Sequence, residues 1–262
     1  MSANQEVPPL HFLLTNDDGI FAPGIRVLAE VLHGAGHRVS VCAPDRERSA
    51  ASHSATLATP LRAVASEVPG ADRAWAVNGT PADCARLGLW LTRDDPADMV
   101  IAGINRGMNL GGAVLYSGTV AGAMQGAMCG VQALAVSLCT LNFDGDDYVP
   151  AARLALRVAE WMPGHPLPRG CIYSLNVPLL PYEAIRGLAP ATLAPVFLET
   201  PAYREEADAE GVLYHYDRGE EPPLDDPKYD MAQIDRGYAT LTKLSWDWRM
   251  DADDGELGGI GL

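Results

Sequence analysis

Between residues 11 and 178 the sequence keeps switching its apolar period, and this restricts the fold more than any other feature. "HFLLT" (11–15), "RVSVCA" (38–43), "AWAVN" (74–78), "DMVIAGI" (98–104), "QALAVSL" (132–138) and "CIYSLNVP" (171–178) are short apolar runs of strand character. Segments of helical spacing separate them. Ile25, Leu28, Ala29 and Leu32 form one such segment and end at Gly34 and Gly36. "PADCARLGLWL" (81–91), "GTVAGAMQGAM" (118–128) and "AARLALRVAEWM" (151–162) are the others. Strands that alternate with helices form a mostly parallel sheet covered on both faces. Right-handed crossovers then align the carboxyl ends of its strands along one edge. The chain is therefore read as α/β. Its loops 16–23, 44–54 and 103–117 should meet over that edge, where open α/β sheets bind ligands.

Composition narrows the partners. With 48% hydrophobic residues in 262, one large core is within reach. A net charge of −15 argues against a nucleic-acid polymer, which needs clustered Lys and Arg. "GTVAGAMQGAMCGVQALAVSLCTL" is interrupted by Gln125 and Gln132 and reads as a helix followed by a buried strand, so no membrane partner is expected. The five cysteines are odd in number, lie in apolar surroundings and lack metal spacing. Buried free thiols are expected, and with no export signal in "MSANQEVPPL" so is a cytoplasmic location.

After Pro178 the pattern changes. Residues 199–226 are acidic and Pro-punctuated, and "GYATLTKL" (237–244) returns to strand-like alternation. The expected division is a core over 10–185, a C-terminal extended arm over 186–250 and a flexible tail over 251–262. Two readings of the arm stay open. It is either a peripheral segment with solvated charges, or one that docks on another subunit and buries Trp246 and Trp248.

Chemistry concentrates in "LLTNDDGIFAPGI", where an apolar run ends in two adjacent carboxylates, Asp17 and Asp18. A dinucleotide-binding loop would place GxGxxG here, and bare phosphate is repelled by this pair. A divalent cation resolves the conflict, although a simple Asp-Gly turn also fits the residues. Other loops at the same edge offer hard oxygen donors suited to Mg²⁺ or Mn²⁺. These are the hydroxyls of Ser49, Ser52 and Ser54, near His53, and the amide oxygens of Asn105 and Asn109. Ser117, Gly118 and Thr119 stand directly before a small-residue helix, a place that either caps the helix or cradles an anion. Asn78 lies near the edge, where ribose, base or a capping role would suit it.

Taken together, "LLTNDDGIFAPGI", "VCAPDRERSAASHSAT", "VNGTPADCARLGL", "VIAGINRGMNLGGAVLYSGTVAGAMQGAM" and "YSLNVP" closely resemble the SurE family of metal-dependent 5′/3′-nucleotidases. The resemblance implies an α/β, Rossmann-like three-layer core and a C-terminal arm exchanged within a homodimer or homotetramer. It implies one divalent ion per subunit, Mg or Mn, held by Asp17, Asp18, Ser49 and Asn105, with phosphate bound by Ser117, Gly118 and Thr119. Asn105, Asn109 and Asn78 complete the expected substrate-binding set. The sequence departs from the family pattern at Ala50, where Gly is usual, and at Lys243, where Pro is usual.

The expected reaction is metal-assisted hydrolysis of a nucleoside monophosphate, with Asp17 or Asp18 accepting the proton of the attacking water. His53 is a candidate proton donor to the leaving ribose oxygen, or a loop histidine with a structural hydrogen bond. A signalling receiver domain is the rival from another class, but it needs a carboxylate at the end of the third strand, where Asn78 stands.

Overall fold

The computed structural model describes residues 8–140, 147–195, 202–208, 210–217 and 225–247. Eleven strands are found among them. β1 (His11–Thr15), β2 (Arg38–Pro44), β3 (Ala63–Ala65), β4 (Arg73–Val77), β5 (Met99–Arg106), β6 (Gln132–Cys139) and β7 (Cys171–Pro178) precede residue 180. β8 (Leu188–Pro190), β9 (Ala202–Ala207), β10 (Val212–Asp217) and β11 (Ala239–Ser245) follow. The main sheet has the order β3-β4-β2-β1-β5-β6-β7-β11-β8. The run from β4 to β7 is parallel throughout, as the alternation predicts. Only β3 on β4 and β11 on β7 are antiparallel.

Helices cover both faces. α1 (Pro23–Gly34) and α4 (Val149–Trp161) share a core with the inward residues Phe12, Leu14, Val39, Val41 and Ile101. α2 (Pro81–Leu91) and α3 (Gly118–Met128) pack on the opposite face against Leu13, Cys42, Val100 and Ala102. Successive residues of β1 thus serve opposite cores, the two-residue period of a strand buried on both sides. α2 starts where Thr80 and Asp83 form a reciprocal capping box. α3 approaches the sheet closely because its inner face is small: a Cβ added at Gly126 would lie 2.7 Å from Val100 Cβ.

The part of the chain expected to be an arm divides. β8 and β11 belong to the main sheet, and β11 runs in register along β7 from Thr240–Asn176 to Ser245–Cys171. The strand passes through Lys243, so the departure from Pro does not interrupt it. β9 and β10 form a separate antiparallel hairpin, and α5 (Asp230–Asp235) leads into β11. Trp246 is 47% exposed, while Trp248 and the tail 251–262 lie outside the described residues. All five cysteines are free. Cys42 and Cys84 are buried as expected, but Cys129, just past the end of α3, is exposed. Among the described residues no helix is long and apolar enough to cross a membrane.

Close packing of α3 gives a direct test. Gly126→Ala should destabilise the protein by about 1–3 kcal/mol through overpacking. Gly34→Ala, at the end of α1 with open space around it, should be neutral or stabilising by up to about 1 kcal/mol. Urea unfolding of both variants checks the contrast, and equal effects would contradict the packing described.

Candidate active site

Three loops meet over the carboxyl edge through specific hydrogen bonds. The Ile20 N–H donates to Pro44 O (2.8 Å) and the Arg48 N–H to Asp17 O (2.7 Å), tying the loop after β1 to the loop after β2. The Arg106 N–H donates to Asp18 Oδ2 (3.1 Å), tying in the loop after β5. Ser52 completes the ring: its N–H donates to Tyr116 O (3.1 Å) and its hydroxyl to Leu115 O (2.7 Å).

Asp17 and Asp18 lie at the centre. Asp17 is 6% exposed, and no ion pair among the described residues includes either carboxylate. Burial pushes the Asp17 carboxyl above the usual carboxylate range. The Thr119 hydroxyl and the N–H groups of Asp17, Thr119 and Gly118 oppose that rise by favouring the ionised form. Asp18 is pushed up to about 6, first by burial and then by the charge of Asp17, against the Arg106 N–H. Each carboxyl holds its proton more tightly folded than unfolded. Stability therefore falls as pH rises from 3.8 to about 6 for Asp18, and above about 6 that loss is complete.

The start of α3 explains how the pair is held. Ser117 is its N-cap, its hydroxyl oxygen accepting the Val120 N–H (3.0 Å). The fully buried Thr119 donates its hydroxyl to Asp17 Oδ1. Gly118 has no alternative, because a Cβ there would lie 2.8 Å from Asp17 Cβ and 3.0 Å from its Oδ2. The three residues expected to cradle phosphate thus divide: Gly118 and Thr119 touch Asp17, while the Ser117 hydroxyl keeps its own proton to donate.

Asn105 is half-buried at the end of β5, its amide N–H donating to Gly107 O (3.0 Å). Asn109 is buried, and its amide donates to Ser137 Oγ (2.8 Å). Its backbone pairs with the Asn176 side chain in both directions, at 2.9 and 3.1 Å. Asn109 therefore shapes the loop that carries Asn105. Ser137 and Asn176 were not singled out from sequence, although each is a polar residue inside an apolar strand, the pattern that marks such partners.

Ser49 is exposed and donates to Glu47 Oε1 (2.5 Å) on the loop that borders Asp17. Ala50 adopts φ 53°, the left-handed region that glycine reaches without strain. The backbone that glycine favours is thus kept by an alanine. The exposed His53 donates from Nε2 to Gln125 Oε1 (3.2 Å), a structural hydrogen bond between loop and helix. Asn78 is exposed and accepts the Arg62 N–H at its Oδ1 (2.8 Å), while Thr80 caps α2.

The residues present fit a hard divalent cation. Asp17 is buried and Asp18 half-buried; neither forms an ion pair among the described residues, the Arg106 charge only partly offsets the burial of Asp18, and the Ser49 hydroxyl and Asn105 amide oxygen are neutral hard donors. Five buried polar side-chain atoms among the described residues have no hydrogen-bond partner, and two of them, Thr15 Oγ1 and Asn16 Oδ1, directly precede the pair. The described residues hold no group of three or more His, Cys, Asp or Glu that could hold a metal ion, so a cation here would need neutral oxygen donors beside the two carboxylates.

A doubly covered parallel sheet with an acidic, oxygen-lined cleft at its carboxyl edge defines an α/β protein of the Rossmann-like class. The profile of the family described as Survival protein SurE matches residues 12–197. A 5′-nucleotidase SurE of Synechococcus sp. (strain JA-3-3Ab) is 43% identical over 242 residues, covering 91% of this chain and 92% of that protein. The 5′-nucleotidase SurE of Gloeobacter violaceus is 40% identical over 257 residues, covering 95% of each. The crystal structure of the SurE protein from Aquifex aeolicus superposes with a TM-score of 0.75 at 30% identity, covering 91% of this chain and 94% of that one. This chain belongs to the SurE family.

The electrostatics make a testable statement about stability. Asp18→Asn removes a charge that burial and Asp17 both oppose. It should stabilise metal-free protein at pH 7 by about 1 kcal/mol or more, and the gain should vanish near pH 4. Urea unfolding in the presence of a chelator measures this; a variant less stable than the parent at pH 7 would contradict it.

Proposed function

We propose that this chain hydrolyses nucleoside 5′-monophosphates, and 3′-monophosphates, to nucleoside and phosphate with one bound divalent cation, Mg²⁺ or Mn²⁺. The observation that carries the proposal is the adjacent pair Asp17–Asp18, with Asp17 buried against the start of α3 and both carboxyls pushed upward. The names of the relatives, which are 5′-nucleotidases, supply the substrate class.

Asp17, Asp18, Ser49 and Asn105 are the residues assigned to hold the ion. When bound, the ion supplies Lewis acidity toward the phosphoryl group and lowers the pKa of water. Asp17, fixed by Thr119 and the N–H groups of α3, orients the site. Asp18 keeps Oδ2 on the Arg106 N–H, and its Oδ1 is assigned to accept the proton of the attacking water. The Ser117 hydroxyl donates to a phosphoryl oxygen, where charge grows in the transition state. Gly118 and Thr119 act on phosphate through the placement of Asp17, and Asn109 through the loop carrying Asn105. Asn78, at the exposed end of β4, is assigned to the nucleoside side. His53 is accounted for by Gln125 and receives no catalytic role.

The same reading extends to assembly and location. A cavity of about 1460 Å³ runs along the outer face of α3 and includes Met124, Met128, Leu244 and Trp246. Leu115 and Tyr116 at its rim are more than half exposed. Apolar surface of this kind marks an interaction site, and supports a homodimer or homotetramer built through the C-terminal segment. Five free thiols support a cytoplasmic location.

Release of phosphate from AMP, with Mn²⁺ and after chelation, tests the activity. Asp17→Asn should lower kcat by roughly a hundredfold or more, the scale of losing an electrostatic catalytic group. Ser117→Ala should chiefly raise KM. Undiminished turnover in chelator-stripped protein would refute the metal assignment.

A further inference from the structure

One buried carboxylate far from the motif region has no part in the chemistry above. Asp230, the first residue of α5, is 1% exposed, and no ion pair among the described residues includes it. Three backbone N–H groups converge on its two oxygens. Oδ1 accepts from Ala194 and from Met231, each at 2.9 Å, and Oδ2 accepts from Gly111 at 2.9 Å. A buried carboxyl group away from any cation is tolerated when its oxygens accept hydrogen bonds in this way.

The place of Gly111 gives the contact its meaning. Gly111 opens the 3-10 turn Gly111–Leu115, with φ 50°, and it divides the loop between β5 and α3. Asn105 lies at one end of that loop and Ser117 at the other. The first half is already fixed by Asn176 and Ser137 acting on Asn109. The only side-chain bond from the C-terminal region to this loop, among the described residues, is that from Gly111 to Asp230.

We infer that Asp230 is a positioning residue: by holding the Gly111 N–H it sets the separation between the metal-side residue Asn105 and the phosphate-side residue Ser117. The inference rests on the proposed function for those two roles, but the contact itself does not. It makes the site dependent on a segment 119 residues away in sequence. Ordering of the region around Ala194 and α5 and ordering of the loop are then one event, because one carboxylate serves both.

Asp230→Asn tests this selectively. The remaining amide oxygen has two lone pairs, enough for Ala194 and Met231, and the amide NH2 then faces the Gly111 N–H, so only the loop bond is lost. In the full chain, Mn²⁺ dissociation, inhibition by inorganic phosphate and KM for AMP should each weaken roughly tenfold, the usual scale for losing an outer partner of a metal site. kcat at saturation of both should change far less. A purely structural role would lower the melting temperature and leave these constants alone, and that result in a folded variant would overturn the inference. Should the variant not fold, hydrogen exchange of the parent protein decides. A Gly111 amide as slow as those of β5 and β6 supports the anchor, and one that exchanges freely overturns it. Failure of the parent to cleave AMP would sink the nucleotidase reading, while Mn²⁺ affinity and amide exchange would still report on Asp230.

Discussion

Two like charges side by side in a buried place are the constraint around which this protein is organised. Asp17 and Asp18 sit in the bend that follows the fully buried strand β1, Asp17 buried and Asp18 half-buried. The fold offsets part of the cost by directing N–H groups, one hydroxyl and the charge of Arg106 at the pair. These groups do not cancel the cost, which is why both carboxyls are pushed upward. Such unrelieved cost at a cleft is the mark of a site kept for function rather than stability.

Much of the surrounding architecture follows from that need. The start of α3 must approach Asp17 closely, which requires glycine at 118 and a buried hydroxyl at 119. The loop after β2 must close over the other side, and it does so with Ala50 in a left-handed conformation. The loop after β5 is held by polar groups from β6, β7 and α5 as well as by its own 3-10 turn. A rigid sheet edge thus presents donors from several loops at one point, the arrangement in which open α/β sheets bind ligands.

The parallel core was legible because each strand and helix carries its own period. "HFLLT", "PADCARLGLWL" and "CIYSLNVP" match β1, α2 and β7 residue for residue. The edge strand β3 was not, since its three residues are all exposed and show no alternation. The hairpin of β9 and β10 was not either: it lies in a stretch whose acidic residues obscure any period, although Val212 and Tyr214 share one of its faces. β11 was recognised as a strand but placed in the arm, because nothing local shows that β7 is its neighbour. At the site, the acidic doublet and the Ser117–Thr119 segment could be read directly. Asn176, Ser137 and Asp230 could not, as their partners lie 67, 28 and 119 residues away.

Calorimetric titration of Mn²⁺ into the protein, run in buffers of different ionisation enthalpy, tests the central claim most directly. Cation binding must displace the proton that burial and Asp17 have raised on Asp18. One ion per chain should bind, releasing about half a proton from Asp18 near pH 6 and almost none by pH 8. No heat of binding, or binding whose affinity and proton count ignore pH, would contradict the account.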